Sequence, residues 1–191
     1  MEKAMVFWRG YLKNPRKIGA VAPSSKHLAR KMVQALDAKP DDICVELGPG
    51  TGVFTEQMIA EGIPEENIIL IEFNHRFAFL LKQRFPKATL VQGDASKLPR
   101  ILHQMDIKHV PRIISGLPLR SMKWREKTAI ALSVSQALSP GGTFVQFTYF
   151  NGDPLPKTAC KRYNLSGERV SLVVRNVPPA IVWRYRKSDV I

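Results

Sequence analysis

The fold of this chain is decided by residues 45–55, which read Val45-Glu46-Leu47-Gly48-Pro49-Gly50-Thr51-Gly52-Val53-Phe54-Thr55. The apolar run that leads into them, from Ile43 to Leu47, is rich in β-branched residues and predicts a buried parallel strand. Residues 53–60 predict a helix, so the three glycines fall in a strand-to-helix turn. Glycine permits a positive φ there and lets a ligand lie against the main chain, while the helix N-terminus directs N–H groups at that ligand.

Two acidic residues end or follow the next two predicted strands. The strand at residues 68–71 ends in Glu72, where a carboxylate can accept both hydroxyls of a ribose. Asp94 comes just after the strand at residues 89–92 and is placed to accept from an adenine amine. The glycine spacing differs from the G-x-G-x-x-G of dinucleotide folds, and no P-loop Lys-Ser or Lys-Thr follows. The pattern therefore predicts a nucleoside cofactor; the alternative is a doubly wound domain with another nucleotide or none.

The composition indicates a globular protein with one domain. The 191 residues are 45% hydrophobic, and no apolar run reaches the length of a membrane span. No signal peptide is recognisable. The two cysteines, Cys44 and Cys160, are too few and too far apart for a disulfide framework or a metal site. We therefore expect a cytoplasmic protein without a metal.

The net charge of +13 is confined to the two ends of the chain. Residues 1–31 carry eight Lys or Arg against one acid, and residues 157–187 carry the same numbers. Residues 32–156 carry thirteen charges of each sign, and Asp189 supplies the remaining negative charge. Basic flanks around a neutral body predict a polyanionic partner, either nucleic acid or an anionic membrane surface. The alternative is a solvated basic face.

Residues 1–13 have helical periodicity. Their apolar face consists of Met1, Ala4, Met5, Trp8, Tyr11 and Leu12, and the opposite face is mainly basic. Such a helix fits a membrane interface, although a terminal helix packed on the core would show the same period. Asn14-Pro15 ends it.

The remaining pattern completes an alternating α/β order. Ser24 or Ser25 is predicted to cap a helix that ends at Leu36, and Asn74 to cap one that ends before Pro86. The other predicted elements are a strand and exit loop at 112–119, a helix at 122–138, a strand at 143–149, a loop at 150–168, and an antiparallel pair at 169–177 and 180–187.

The glycine turn, Glu72 and Asp94 together resemble the class I S-adenosylmethionine-dependent methyltransferases over roughly residues 25–191. That resemblance implies a Rossmann-like α/β fold. Its seven-stranded sheet would be mostly parallel with an antiparallel last strand, covered by helices on both faces and preceded here by the amphipathic N-terminal helix. The lead segment from Trp8 to Ser25, the glycine turn and Ser115-Gly116-Leu117-Pro118 resemble more specifically the bacterial phospholipid N-methyltransferases. Those enzymes convert phosphatidylethanolamine through its mono- and dimethyl forms to phosphatidylcholine.

The resemblance also implies roles for single residues. The cofactor-binding set for S-adenosylmethionine and its product S-adenosylhomocysteine would be Glu46, Gly48, Gly50, Gly52, Glu72, Phe73, Asp94 and Ala95. Of these, Phe73 and Ala95 would flank the adenine ring, and Glu46 would take a water or the methionine amine. The catalytic candidates are Ser115, in the exit loop, and the aromatic residues Tyr11 and Tyr149. Because the last product is a quaternary ammonium, an aromatic wall is expected, drawn from Tyr11, Trp124, Tyr149 and Tyr163, with Tyr11 and Tyr149 best placed.

We therefore expect residues 1–24 to contact the inner face of the cytoplasmic membrane and residues 25–191 to bind the cofactor. The expected partners are an anionic membrane and a phospholipid, without nucleic acid, for a protein that is a monomer. The main alternative is an RNA adenine N6-dimethyltransferase, where an aromatic residue follows the Leu-Pro pair and stacks on a flipped base. Leu119 holds that position here, and the chain leaves no room for an added RNA-binding domain. A catalytically inactive binding module is a third possibility.

Overall fold

The computed structural model describes residues 26–149, 152–176 and 178–188. Within these ranges seven strands form one sheet in the order β3-β2-β1-β4-β5-β7-β6. Strands β1 to β5 pair in parallel, and β7 runs antiparallel between β5 and β6. The strands are β1 (Cys44–Leu47), β2 (Ile68–Glu72), β3 (Thr89–Gln92), β4 (Val110–Ser115), β5 (Leu138–Tyr149), β6 (Leu165–Val173) and β7 (Ala180–Lys187).

Helices cover both faces of this sheet, as predicted. The described ranges contain α1 (Lys26–Leu36), α2 (Val53–Ala60), α3 (His75–Arg84), α4 (Leu98–His103), α5 (Trp124–Ala137) and α6 (Lys157–Arg162). One apolar core lies under α1, α2 and α3, and a second lies under α4, α5 and α6. The Rossmann-like architecture expected from the sequence is therefore confirmed.

Strands β1 and β2 are buried along their whole length because both cores use them. Alternation along β1 sends Val45 and Leu47 into the second core and Cys44 into the first. Glu46, two residues after Cys44, shares its face and is the carboxylate within an otherwise apolar strand. The strand can tolerate this group only if its polar atoms are hydrogen-bonded or neutral.

Helix α1 fixes where the N-terminal segment joins the fold. A connection of seven residues links Leu36 to Cys44, so the C-terminal end of α1 lies beside the amino end of β1. Arg112 closes this edge through an ion pair of 3.0 Å to Asp42 and a bond of 2.9 Å to the Asp37 carbonyl. Residues 1–25 join the described fold at the opposite end of α1, at Lys26.

The boundary between the helix predicted at 122–138 and the strand predicted at 143–149 differs from the prediction, because the strand begins earlier. Helix α5 ends at Ala137, and β5 begins at Leu138, which pairs with Val110. The strand then runs through Pro140-Gly141-Gly142, a sequence that favours a turn at the end of the helix. An irregularity in register against β4 absorbs these residues, and Gly141 takes a φ of 68°.

The loop predicted at 150–168 and the strand predicted at 169–177 were also wrong in part. Residues 157–162 form α6, which buries Ala159 in the second core. Strand β6 begins at Leu165 and ends at Val173. A side chain at Gly167 would collide with the ring of Tyr185 on β7, so the strand requires glycine at this point.

The N-terminal predictions fall outside the described residues. These are the amphipathic helix at 1–13, the membrane-contacting segment 1–24, and the caps at Ser24 and Ser25. In the ranges that the structure does describe, no helix is long and apolar enough to cross a bilayer.

Candidate cofactor-binding site

The glycine turn between β1 and α2 adopts a backbone that glycine alone tolerates well. Gly48, Gly50 and Gly52 have φ values of 68°, 57° and 81°. A side chain at Gly48 would strike Leu117, and one at Gly52 would strike Phe85. Beside Gly50 the space is open. Packing thus explains two of the glycines, and Gly50 is the one that leaves room for a ligand.

The carboxylate of Glu72 fastens this turn to the end of β2. Its Oε2 accepts the Gly50 amide at 3.0 Å, and its Oε1 accepts the Asn74 amide at 2.8 Å. The side chain is 1% exposed. Burial raises the pKa of Glu72, and the backbone amide bonds oppose that rise. Each oxygen keeps a second lone pair, so the carboxylate can still accept ribose hydroxyls.

Glu46 lies beneath the turn and is fully buried, with 0% exposure. Thr55 Oγ1 donates to its Oε2 at 2.6 Å, whereas its Oε1 has no hydrogen-bond partner among the described residues. Burial raises the pKa of Glu46 to about 8, partly offset by the Thr55 bond, and repulsion from Glu72 adds to the rise. Glu46 is therefore largely a neutral carboxylic acid at pH 7, with one oxygen left for a ligand.

The residues predicted to flank the adenine ring differ in their surroundings. Asp94 is exposed at the end of β3, and its Oδ1 accepts the Ser96 amide at 2.9 Å, which starts a short 3-10 turn. Ala95 is buried, and its carbonyl accepts a bond of 2.8 Å from Ser133 on α5. Phe73 is 61% exposed and is therefore not a core residue. Asp94 and Phe73 are thus accessible to a ligand, whereas Ala95 is buried beneath them.

Ser115, a predicted catalytic residue, is buried at the end of β4 and its hydroxyl serves the turn that follows. Its Oγ accepts the Leu117 amide at 3.2 Å. A side chain at Gly116 would lie 2.6 Å from the Gly48 carbonyl oxygen, so the exit loop of β4 packs directly on the glycine turn. This geometry gives Ser115 a positioning role in the loop.

Gln146 on β5 is the residue that the sequence reasoning missed. Its Nε2 donates to the Leu117 carbonyl at 3.0 Å, and the side chain is fully buried beside Ser115 in the sheet. Its Oε1 has no hydrogen-bond partner in the described part of the chain. A polar residue between Val145 and Phe147 in an apolar strand was the available signal.

The aromatic candidates are only partly brought to the site. Tyr149 ends β5 at the carboxyl edge and packs edge-to-face on Phe147 with ring centroids 5.3 Å apart. Phe147 in turn contacts Phe54 of α2, so an aromatic row connects β5 with the glycine turn. Tyr163 lies at the other end of the molecule, before β6, and Tyr11 lies outside the described residues.

Two cavities lie near these elements. One of about 380 Å³ borders Gly50 and Thr51 and continues along α3. A larger one of about 480 Å³ lies between α6 and the β6–β7 pair, away from the glycine turn. The smaller cavity shares Gly50 and Thr51 with the glycine turn, whereas Glu46, Glu72 and Asp94 are not among its lining residues. No group of three or more His, Cys, Asp or Glu that could hold a metal occurs among the described residues.

The residues present fit the nucleoside cofactor predicted from the sequence. Glu72 offers acceptors for ribose hydroxyls, Asp94 an acceptor for an adenine amine, and Glu46 Oε1 a polar atom under the turn that has no partner among the described residues. The space beside Gly50 is open, which allows a ligand to approach the backbone closely.

The burial of Glu46 predicts a pH dependence of stability. Because its folded pKa of about 8 exceeds the ordinary value of 4.5, the folded state holds a proton that the unfolded state releases between these values. As the pH rises through that window, the free energy of unfolding should fall by about 1.4 kcal/mol per pH unit from this group alone. Urea titrations between about pH 5 and pH 8 should show this slope in the wild-type protein relative to Glu46→Gln. The exposed Glu66→Gln variant is the control, and parallel curves for wild type and Glu46→Gln would contradict the assignment.

Comparison with known proteins identifies the family of this chain. The ribosomal RNA adenine dimethylase family matches residues 23–118. The ornithine lipid N-methyltransferase of Singulisphaera acidiphila is 32% identical over 185 residues, covering 94% of each chain. The ribosomal RNA small subunit methyltransferase A of a Hydrogenobaculum species is 36% identical over 85 residues, which cover 44% of this chain and 33% of that protein.

Solved structures show the same architecture. The 1,6-didemethyltoxoflavin-N1-methyltransferase of Burkholderia thailandensis, solved with S-adenosylhomocysteine, superposes with a TM-score of 0.72 at 14% identity. The match covers 98% of this chain and 90% of that one. Sequence and fold agree that the chain is an S-adenosylmethionine-dependent methyltransferase, and it belongs to the ribosomal RNA adenine dimethylase family within the class I methyltransferases.

Proposed function

We propose that this methyltransferase acts on the amine of a membrane lipid, converting phosphatidylethanolamine through its mono- and dimethyl forms to phosphatidylcholine. The observation that carries the proposal is the match over 94% of both chains to a lipid N-methyltransferase. That relative is named for ornithine lipid, so ornithine lipid is a second candidate substrate. The Hydrogenobaculum RNA methyltransferase, in contrast, matches over less than half of this chain.

The exit loop of β4 supports a lipid rather than an RNA base. In the RNA enzymes an aromatic residue after the Leu-Pro pair is expected to stack on the flipped base. The corresponding Leu119 is aliphatic and only 1% exposed, because it packs into the core under α5. This position therefore offers no stacking surface.

The cofactor, when bound, supplies an electrophilic methyl group on a sulfonium. The chain would hold its adenosine part with Glu72 and Asp94, and the remainder beside Gly50 and above Glu46. Glu72 both accepts from the ligand and keeps the turn in place, since the Gly50 amide is bonded to it.

The acceptor amine must enter beside the β4 exit loop. The Leu117 carbonyl accepts from Gln146 Nε2 at 3.0 Å and from the Leu119 amide at 2.8 Å, so the backbone of this loop is held in place. Tyr149 ends the neighbouring strand and provides an aromatic face for the quaternary ammonium of the last product. Tyr11, which lies outside the described residues, is the second aromatic residue that we propose for this role.

Residues 1–24 are proposed to bring the enzyme to the inner face of the cytoplasmic membrane. They contain Lys3, Arg9, Lys13, Arg16 and Lys17 together with Trp8 on an apolar face. Each basic side chain near an anionic surface contributes on the order of 1 kcal/mol.

Loss of the Glu72 carboxylate should weaken cofactor binding. Glu72→Ala removes the acceptor for two ribose hydroxyls, and hydrogen bonds to charged groups are worth about 1.5–3 kcal/mol each, so affinity should fall at least tenfold. Calorimetry with S-adenosylhomocysteine measures this. The matched control is Glu65→Ala, since Glu65 also accepts two backbone amides, from Lys87 and Ala88, but lies away from the turn. Equal losses in both variants would mean that folding, not ligand contact, is affected.

The substrate class can be decided by testing three candidate substrates in parallel. Cofactor labelled in its methyl group is offered in parallel to phosphatidylethanolamine vesicles, ornithine lipid vesicles and ribosomal RNA. We expect label in phosphatidylethanolamine, in one or more of its methylated forms. Label in ornithine lipid alone would change the lipid but keep the lipid-amine chemistry, whereas label in RNA alone would overturn the proposal.

Deleting residues 1–17 should weaken adsorption to anionic vesicles at least tenfold, because five basic side chains and the apolar face around Trp8 are lost. The adsorption of the full chain should also decrease with salt, since exposed charges are screened. Sedimentation with vesicles measures both effects, and circular dichroism checks that the fold is retained. Unchanged adsorption after the deletion would assign the membrane contact to another part of the chain.

A further inference from the structure

Four of the large apolar side chains that the described residues expose lie at one edge of the sheet. They are Phe73, Trp124, Leu172 and Val174, with exposed fractions of 61%, 60%, 62% and 67%. We call these four residues the rim. The edge in question is the carboxyl edge of the parallel strands, which also holds the glycine turn.

The topology places each rim residue there. Phe73 directly follows the last residue of β2, and Trp124 is the first residue of α5, after the exit loop of β4. Leu172 and Val174 lie on either side of Val173, which pairs with Ala180 beside Tyr149, the last residue of β5. Phe73 marks the boundary with the cofactor site, since the resemblance assigns it to the adenine ring, and the other three rim residues lie beside the proposed entrance for the acceptor amine.

Positive charge accompanies these apolar side chains. The neighbouring exposed basic residues are Arg76, Arg120, Lys123, Arg125 and Arg175. The acids beside these residues are Glu72 and Asp94, assigned above to the cofactor, and Glu126, whose Oε2 accepts the Lys123 amide at 2.7 Å as the cap of α5. Asp153 follows Gly152, which lies against Arg120, and forms an ion pair of 3.7 Å with Lys157. The segment 119–127 alone has four basic residues against one acid.

We propose that the rim is a membrane-contacting surface, separate from residues 1–24, that turns the catalytic edge towards an anionic bilayer. The proposal rests on the lipid substrate proposed above. A tryptophan among basic side chains fits the headgroup region, and aliphatic side chains gain free energy in the acyl boundary. Leu172 and Val174 favour a bilayer over RNA, because aliphatic groups cannot stack on bases as aromatic ones do.

The environment of Trp124 provides a direct test in the full-length protein. Trp8→Phe with Trp183→Phe leaves Trp124 as the single fluorophore. With phosphatidylcholine vesicles that contain phosphatidylglycerol, its emission should shift to the blue and be quenched by brominated acyl chains. The matched control places the fluorophore on the exposed side of α5 by Leu132→Trp, with all three native tryptophans changed to Phe. Equal responses at the two positions, or none at Trp124, would overturn the proposal.

A charge-reversal pair tests the same surface without touching the aromatic residue. Lys123→Glu with Arg125→Glu should lower vesicle affinity at least tenfold at low salt. Lys87→Glu with Lys108→Glu makes the same change in net charge at the amino edge and should have a much smaller effect. Equal losses would show that only net charge matters and would overturn the proposal.

Methyl transfer separates this surface from the substrate assignment. On detergent-dispersed phosphatidylethanolamine the Lys123→Glu/Arg125→Glu variant should match the wild type, and on vesicles it should be slower. If the wild type methylates no lipid, the proposed function fails, while the adsorption measurements still report on the rim. If the same variant loses binding of a ribosomal RNA fragment but keeps its vesicle affinity, the surface is a nucleic-acid contact and the membrane proposal is wrong.

Discussion

The site depends on one buried carboxylate that joins two strand exits. Glu72 accepts the amide of Gly50 from the β1 turn and the amide of Asn74 from its own turn. Three glycines extend the parallel ladder around it by one bond: Gly48 to the Ile71 carbonyl, Gly93 to the Glu72 carbonyl and Gly116 to the Leu47 carbonyl. The exit loops therefore leave the sheet in fixed register, and their relative positions follow from backbone bonds and from this single side chain.

Two acidic groups under one turn set the electrostatic character of the site. Glu72 is supplied with backbone donors, which favour its charged form, whereas Glu46 has one hydroxyl donor and is held neutral by burial. A cation arriving near Glu46 would lower its pKa. Binding of a cationic ligand is thereby coupled to release of a proton, while a neutral ligand lacks this coupling.

Features of the fold and site that are marked by neighbouring residues could be predicted from the sequence, whereas features set by contacts between distant residues could not. The glycine turn, Glu72, Asp94 and the Asn74 cap are marked by residues next to one another, and the structure places them at the expected strand ends. The start of β5 was missed because its pairing with Val110, a contact 28 residues away, overrides the local turn signal of Pro140-Gly141-Gly142. Gln146 is marked locally as a polar residue in an apolar strand, but its partner, the Leu117 carbonyl, is a tertiary contact that this local signal does not identify.

The position of β7 affects the order in which the molecule can be built. It is the last strand of the described chain, yet it lies inside the sheet, between β5 and β6. During synthesis the chain emerges from its N-terminus, so β6 is made before the strand that it must pair with exists. Until residues 180–187 are available, β5 has an open edge and the end of β5 at Tyr149 lacks its neighbour. The pairing of β5 at Tyr149 therefore depends on residues 180–187, whereas the strands that carry the glycine turn and Glu72 are synthesised earlier.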